Sequence, residues 1–137
     1  MTRPEQFAAA ALDCVDTPFQ AHGRVPGKDG SLDCIGIVIY AARAVGIEVE
    51  DVPYVIGAGT DLWSVMTAIV PRYLVEGTWP PFEVGDVLLL RYLKCPYHAA
   101  VYVGGGRIVH ALSGRGVGLM CVDHAITRKV VSVWRLP

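Results

Sequence analysis

The sequence predicts an α+β domain in which N-terminal helices pack on an antiparallel sheet of about five strands. Three observations carry this expectation. Up to Pro71 the apolar residues recur at helical spacing between recognisable start and stop signals. After Pro81 the pattern changes to short β-rich runs divided by glycine or by polar turns. Helices and strands are therefore segregated along the chain, which argues against a wound βαβ sheet. At 137 residues the chain is expected to form one domain, 1–137, without repeats, linkers or low-complexity segments.

The elements follow in order. "TRPEQFAAAALDCV" opens with a capping box: Thr2 is the cap, Pro4 is tolerated in the first turn, and Glu5 stands three residues after Thr2. A helix of roughly three turns is expected there. "DTPFQAHGRVPGKDGSLD" reads as a long loop, and loops of that length usually bind or cover something. A second helix is expected from about Asp33 to Val45, with Gly46 as its stop. Arg43 is the one charged residue between Cys34 and Val45, so the other faces of this helix must be covered. "GTDLWSVMTAIVP" predicts a short third helix, capped by Thr60 and stopped by Pro71. The strands are expected in "DVLLLRYL", "HAAVYVG", "GRIVHAL", "GVGLMCV" and "KVVSVWRLP", as a meander.

Composition excludes several functions. Apolar residues make up 53% and charged residues 18%, which suits a packed core and not a disordered chain. The net charge is −1 and no basic tract occurs, so nucleic acid is not an expected partner. The apolar runs are too short for a membrane span. "MTRPEQFAAAALDCV" carries Glu5 and Gln6 where the apolar core of a signal peptide would begin. Synthesis in the cytoplasm is expected, with any export by another route. "VGGGRIV" lacks the Lys-Ser/Thr ending of a phosphate loop and reads as a hairpin turn. No cofactor is implied.

The four cysteines, Cys14, Cys34, Cys95 and Cys121, are scattered and form no CxxC, so reduced and buried thiols are the default. Cys34 stands apart because a polar run ends there and an apolar helix begins. The start of a helix carries partial positive charge and unpaired N–H groups. A thiol there is activated as thiolate, and the same N–H groups can stabilise an oxyanion. Asp33, just before it, can cap the helix. Cys34 is thus expected to be the most reactive thiol, and Cys14, on an apolar helix face, a slow one. The plain alternative is a cysteine that only packs.

A nucleophilic cysteine needs a base. His98 and His110 flank the glycine run of "YHAAVYVGGGRIVHAL". With Gly104, Gly105 and Gly106 as a three-residue loop, Val103 pairs with Arg107 and Ala100 faces His110. Both imidazoles then leave one sheet face as diagonal neighbours. A two-residue loop would put them on opposite faces. Two unrelated histidines remain the alternative. A zinc site is another, since Cys95/His98 and Cys121/His124 are two C-x-x-H pairs.

The order "LDCIGIVIY", "EVGDVLLLR", "YHAAVYVGGGRIVHA" resembles the NlpC-type cysteine peptidases of bacterial cell walls, and the resemblance covers nearly the whole chain. In that family an Asp-Cys pair opens a buried helix, a "GD" turn leads into the first barrel strand, and a histidine opens the next. A third polar residue, often histidine, follows one strand later. The resemblance implies a papain-like fold with Cys34 as nucleophile, His98 as general base and His110 as the residue that orients it. It implies no metal. The family usually has tyrosine in a Pro-Tyr pair near the thiol, where this chain has Pro18 and Phe19. Phe19, His22 and Asp33 are the expected substrate-binding positions. The implied substrate is the peptide stem of peptidoglycan, often the amide bond between D-glutamate and a diamino acid. The bare length is similar to the versions encoded with phage tails, which implies tail proteins as partners and delivery to the cell wall by a tail. The alternatives are a non-catalytic structural or wall-binding tail domain, and an acyltransferase or thioesterase on the same scaffold.

Overall fold

The computed structural model describes residues 1–54, 61–91 and 98–137. Helix α1 (Arg3–Asp13) begins with the expected capping box: Thr2 accepts from Glu5 N, and Glu5 accepts in return from Thr2 N at 3.0 Å. The long loop after it is more ordered than its composition suggests. It holds two short strands, β1 (Arg24–Val25) and β2 (Ser31–Leu32), paired antiparallel. Two-residue strands are too short to show any alternation in sequence. They exist because Leu32, fully buried, also bonds back to the loop: Leu32 N donates to Pro18 O at 3.0 Å and Gln20 N to Leu32 O at 3.3 Å.

Helix α2 (Cys34–Ala44) is capped by Asp33, and Gly46 follows its end with φ +85°, a conformation suited to glycine. Helix α3 (Asp61–Tyr73) departs from expectation at Pro71, which lies within the helix and does not stop it. Proline removes one N–H, yet the helix runs two residues past it, and Leu74 N reaches Val70 O at 3.0 Å to close the last turn. The expected cap Thr60 lies outside the described residues.

Among the described residues six strands form the main sheet: β3 (Val75–Gly77), β4 (Val87–Leu90), β5 (His98–Gly104), β6 (Arg107–Leu112), β7 (Gly116–Cys121) and β8 (Val130–Arg135). Their order is β3-β8-β4-β5-β6-β7, and every pairing is antiparallel. The expected α+β class with helices before an antiparallel sheet is present. The meander covers only β4 to β7, because β8 returns to the free edge of β4. Strand β3 was not legible in "LVEG", since both of its valine and glutamate positions are exposed. A short helix α4 (His124–Thr127), capped by Asp123, precedes β8.

The sheet is buried on both faces. On one side Val87, Leu89, Ala99, Val101, Val109 and Ala111 pack with Phe7, Ala11, Ile37 and Ala41 of the helices. On the other side Leu88, Leu90, Ala100 and Ile108 pack with Ile126 and Val133. The unbroken apolar run of β4 follows from this double burial. Asp86, in the "GD" turn ahead of β4, is buried; it accepts from Glu83 N at 2.7 Å and from Arg135 Nε at 2.9 Å, which ties the start of β4 to the end of β8. No helix among the described residues is long and apolar enough to cross a membrane.

Candidate active site

Cys34 is the first residue of α2 and only 6% exposed. The geometry that holds it begins with Asp33. This carboxylate is wholly buried and takes four donors: Gly36 N at 2.8 Å, Arg24 Nη1 at 3.0 Å, His22 N at 2.9 Å and the Tyr54 hydroxyl. A buried carboxylate with this many partners is compensated for its lost hydration. Its oxygens are engaged inside the protein, so it acts as scaffold to the helix start, while Phe19 and His22 are the more accessible of the three expected binding positions.

Arg24 joins this cap to the next loop. Its Nε and Nη2 grip Asp51 at 2.7 and 3.0 Å, and Nη2 also donates to Tyr54 Oη at 2.6 Å. The bond to Arg24 holds the Asp51 carboxyl below the usual carboxylate range. Burial, and then the hydrogen bond to the Asp33 carboxylate, push the Tyr54 phenol upward, so it stays a protonated donor. The His22 ring lies against Tyr54, with centroids 4.4 Å apart. Gly36 makes this closeness possible: a Cβ there would stand 2.3 Å from Gly23 O. Sequence reasoning missed Arg24, Asp51 and Tyr54. The available signal was the pair Pro53-Tyr54, which brings a phenol to the residue beside Cys34 where Phe19 lacks one.

His98 opens β5 and His110 lies in β6, both almost fully buried. His98 Nε2 and His110 Nδ1 are 2.9 Å apart, with the rings at 70°. The shared face was expected, but the loop that produces it was not. Gly104, and not Val103, pairs with Arg107, leaving Gly105 and Gly106 as a two-residue turn. The register then shifts between Tyr102 and Gly104, so that Tyr102 faces Ile108 and Val101 faces Val109. The extra residue restores the parity that a two-residue turn alone would have reversed. Burial pushes the His98 imidazole down to about 3, with His110 adding to the shift, and burial lowers His110 as well. At neutral pH the pair therefore rests as two neutral rings, one donating and one accepting.

The remaining thiols are placed differently. Cys14 is fully buried at the end of α1, where burial pushes its thiol up to about 12. Cys121 is exposed at the end of β7, and Cys95 lies outside the described residues. Among the described residues no group of three or more His, Cys, Asp or Glu side chains is arranged to hold a metal ion.

A sequence model of the NlpC/P60 family matches residues 16–135. Solved structures show the same fold at low identity. NlpC1 from Trichomonas vaginalis superposes with a TM-score of 0.70 at 15% identity, over 97% of this chain and 44% of that one. An NlpC/P60 family protein from Bacillus cereus gives 0.69 at 17% identity, over 98% of this chain and 40% of that one. The NlpC/p60 domain of the peptidoglycan hydrolase SagA gives 0.67 at 20% identity, over 97% and 98% of the two chains. The chain thus spans less than half the length of the first two structures. No curated protein matches it.

Proposed function

The chain belongs to the NlpC/P60 family, and from that premise we propose that it is a cysteine peptidase that hydrolyses an amide bond in the peptide stem of peptidoglycan, the bond between D-glutamate and a diamino acid. The observation that carries the reading is the buried His98–His110 pair at 2.9 Å, in a chain whose Cys34 heads a capped, buried helix.

In this mechanism His98 bonds His110 through Nε2, and its Nδ1 serves the thiol. The Cys34 sulfur attacks the amide carbonyl carbon while its proton passes to His98. Backbone N–H groups of the first turn of α2 stabilise the oxyanion. His98 then protonates the leaving amine, the C–N bond breaks, and an acyl-enzyme thioester remains. Water, deprotonated by His98, hydrolyses the thioester and restores the thiol. His110 keeps the His98 ring in place and accepts a hydrogen bond from it as the imidazolium forms, the part of the third member of a triad. Burial disfavours that imidazolium in the resting protein, so charge develops only as the reaction proceeds.

Phe19 favours one rival, a wall-binding domain without turnover, because the family's usual hydroxyl is missing there. A phage tail as carrier remains an expectation of the sequence resemblance and is not part of this proposal. Incubation with purified peptidoglycan, with and without a thiol alkylator, tests the reading. New free amines that the alkylator suppresses support the peptidase; no amine release from the untreated protein supports the rival.

A further inference from the structure

Negative charge forms on the Cys34 sulfur as it gives up its proton, and then on the amide oxygen. The residue immediately before Cys34 is Asp33, whose side chain is wholly buried. Four donors meet its two oxygens: Gly36 N and Arg24 Nη1 on Oδ1, His22 N and the Tyr54 hydroxyl on Oδ2. Tyr54 Oη accepts from Arg24 Nη2 at 2.6 Å, so its own proton is left for Asp33. All four partners donate, which is the pattern of an ionised carboxylate. A buried negative charge beside a thiol opposes the thiolate, because little solvent screens the two.

Among the described residues Arg24 is the one side chain that forms an ion pair with Asp33. Its guanidinium is a fixed charge at any working pH. Its orientation is set from the far side: Asp51 accepts from Nε at 2.7 Å and from Nη2 at 3.0 Å, and Gly23 O accepts from Nη1 at 2.8 Å. The Asp51 side chain is 35% exposed and that of Asp33 is 0% exposed, so solvent screens Asp51 and leaves Arg24 to balance Asp33. The other titratable groups around α2 are few. Burial, and then the bond to Asp33, keep Tyr54 protonated, and His22 is exposed. Strands β5 and β6, which pack against α2, carry His98 and His110, both neutral at rest. On α1, the remaining neighbour, Arg3, Glu5 and Asp13 face solvent, and Cys14 at its end is held protonated by burial.

We propose that Arg24 is a positioning residue for the reaction, balancing the charge of Asp33 so that negative charge can form on Cys34, with Asp51 holding the guanidinium in place. The proposal rests on the reading of Cys34 and His98 given above and deepens it. No proton moves to or from Arg24, which acts on the sulfur only through the neighbouring carboxylate. An arginine that merely ties the two loops together would change stability and leave the ionisation of Cys34 alone.

The test follows alkylation of Cys34 by iodoacetamide against pH, by mass mapping, with the exposed Cys121 as internal standard. The chains compared are wild type, Arg24→Gln, Asp33→Asn and the double variant. Arg24→Gln should move the half-point of Cys34 upward by about one pH unit, which is about a tenfold slower reaction at neutral pH. Asp33→Asn, which keeps a capping oxygen, should move it downward, and the double variant should return close to wild type. Such rescue is the mark of charge balance, since a second lost bond would deepen a structural defect. On a defined γ-D-glutamyl-diamino acid peptide, Arg24→Gln should lower kcat about tenfold with KM unchanged. A folded Arg24→Gln protein with the wild-type half-point would overturn the proposal, as would a double variant no better than Arg24→Gln. An upward move in Asp33→Asn would overturn it too, and that variant decides if Arg24→Gln does not fold. The alkylation profile needs no substrate. A wild type that cleaves nothing but shows the Arg24 and Asp33 dependence would end the peptidase reading and leave this coupling standing; a wild type that cleaves, with a profile indifferent to Arg24, would end the coupling alone.

Discussion

His98 Nε2 and His110 Nδ1 lie 2.9 Å apart although they stand twelve positions apart in the chain, on either side of a turn of consecutive glycines. The bond is built by one register shift between Tyr102 and Gly104, which keeps both rings on one side of neighbouring strands. Almost no solvent reaches either ring. Each imidazole is therefore the other's polar partner, and removing one leaves a buried ring nitrogen to be satisfied by something else.

That arrangement predicts acid sensitivity with a defined window. Burial lowers His98 from 6.5 to about 3 in the folded protein and lowers His110 in the same direction. Between those limits the unfolded chain binds protons that the folded chain refuses. Stability should therefore be lost as pH falls below about 6.5, by up to about 1.4 kcal/mol per pH unit for each histidine. Urea unfolding midpoints between pH 5 and 6.5, above the range of ordinary carboxylates, read this directly. His98→Gln should flatten the slope. An equally steep wild-type and variant profile would show that the pair is not buried in neutral form.

The two histidines should also differ in activity. His98→Ala should lower turnover on the order of 10²-fold or more, as for a general acid–base group. His110→Ala should lose less, since water can take part of an orienting role. A larger loss at His110 than at His98 in a steady-state assay would reverse the assigned roles.

Tyr54→Phe tests the cap. The substitution keeps the ring against His22 and deletes one donor to the buried Asp33 carboxylate. Hydrogen bonds to charged groups contribute about 1.5–3 kcal/mol, and a destabilisation of that size is expected in the urea midpoint. An unchanged midpoint would mean that Arg24, His22 N and Gly36 N suffice to hold the start of α2.

Thiol labelling separates placement from activation. Cys14 should react slowest, because it is fully buried and its thiol is pushed up to about 12. Cys121 is exposed, so access alone lets it label. Cys34 should react readily despite its 6% exposure, and His98→Ala should slow it while leaving Cys121 unchanged. Mass mapping after brief alkylation gives all three rates. Cys34 labelling that ignores His98 would count against the thiol–imidazole partnership.

Much of this was legible in the sequence because it depends on local chemistry. The capping box at Thr2, the Asp33 cap before Cys34 and the Gly46 stop are short-range signals, and each is present in the structure. The shared face of His98 and His110 was also readable, although through the wrong loop, because a bulge and an added loop residue have the same effect on strand parity. What could not be read depends on distant partners. Arg24 meets Asp51 and Tyr54 across the fold, and apart from the pair Pro53-Tyr54 the sequence carries no signal of that meeting. Strand β8 leaves the meander because the free edge of β4 is available. Pro71 lies within α3, whose last turn is closed by Leu74 N on Val70 O, and the sequence alone read it as a stop.

The central claim is that Cys34 is the nucleophile, and one rate tests it most directly: amine release from a defined γ-D-glutamyl-diamino acid peptide by wild type and by Cys34→Ala. No other group in the proposed site can form the acyl-enzyme, so the wild type should release amine and Cys34→Ala should release none, with the melting temperature unchanged. A folded Cys34→Ala protein that cleaves the peptide at the wild-type rate would contradict the account.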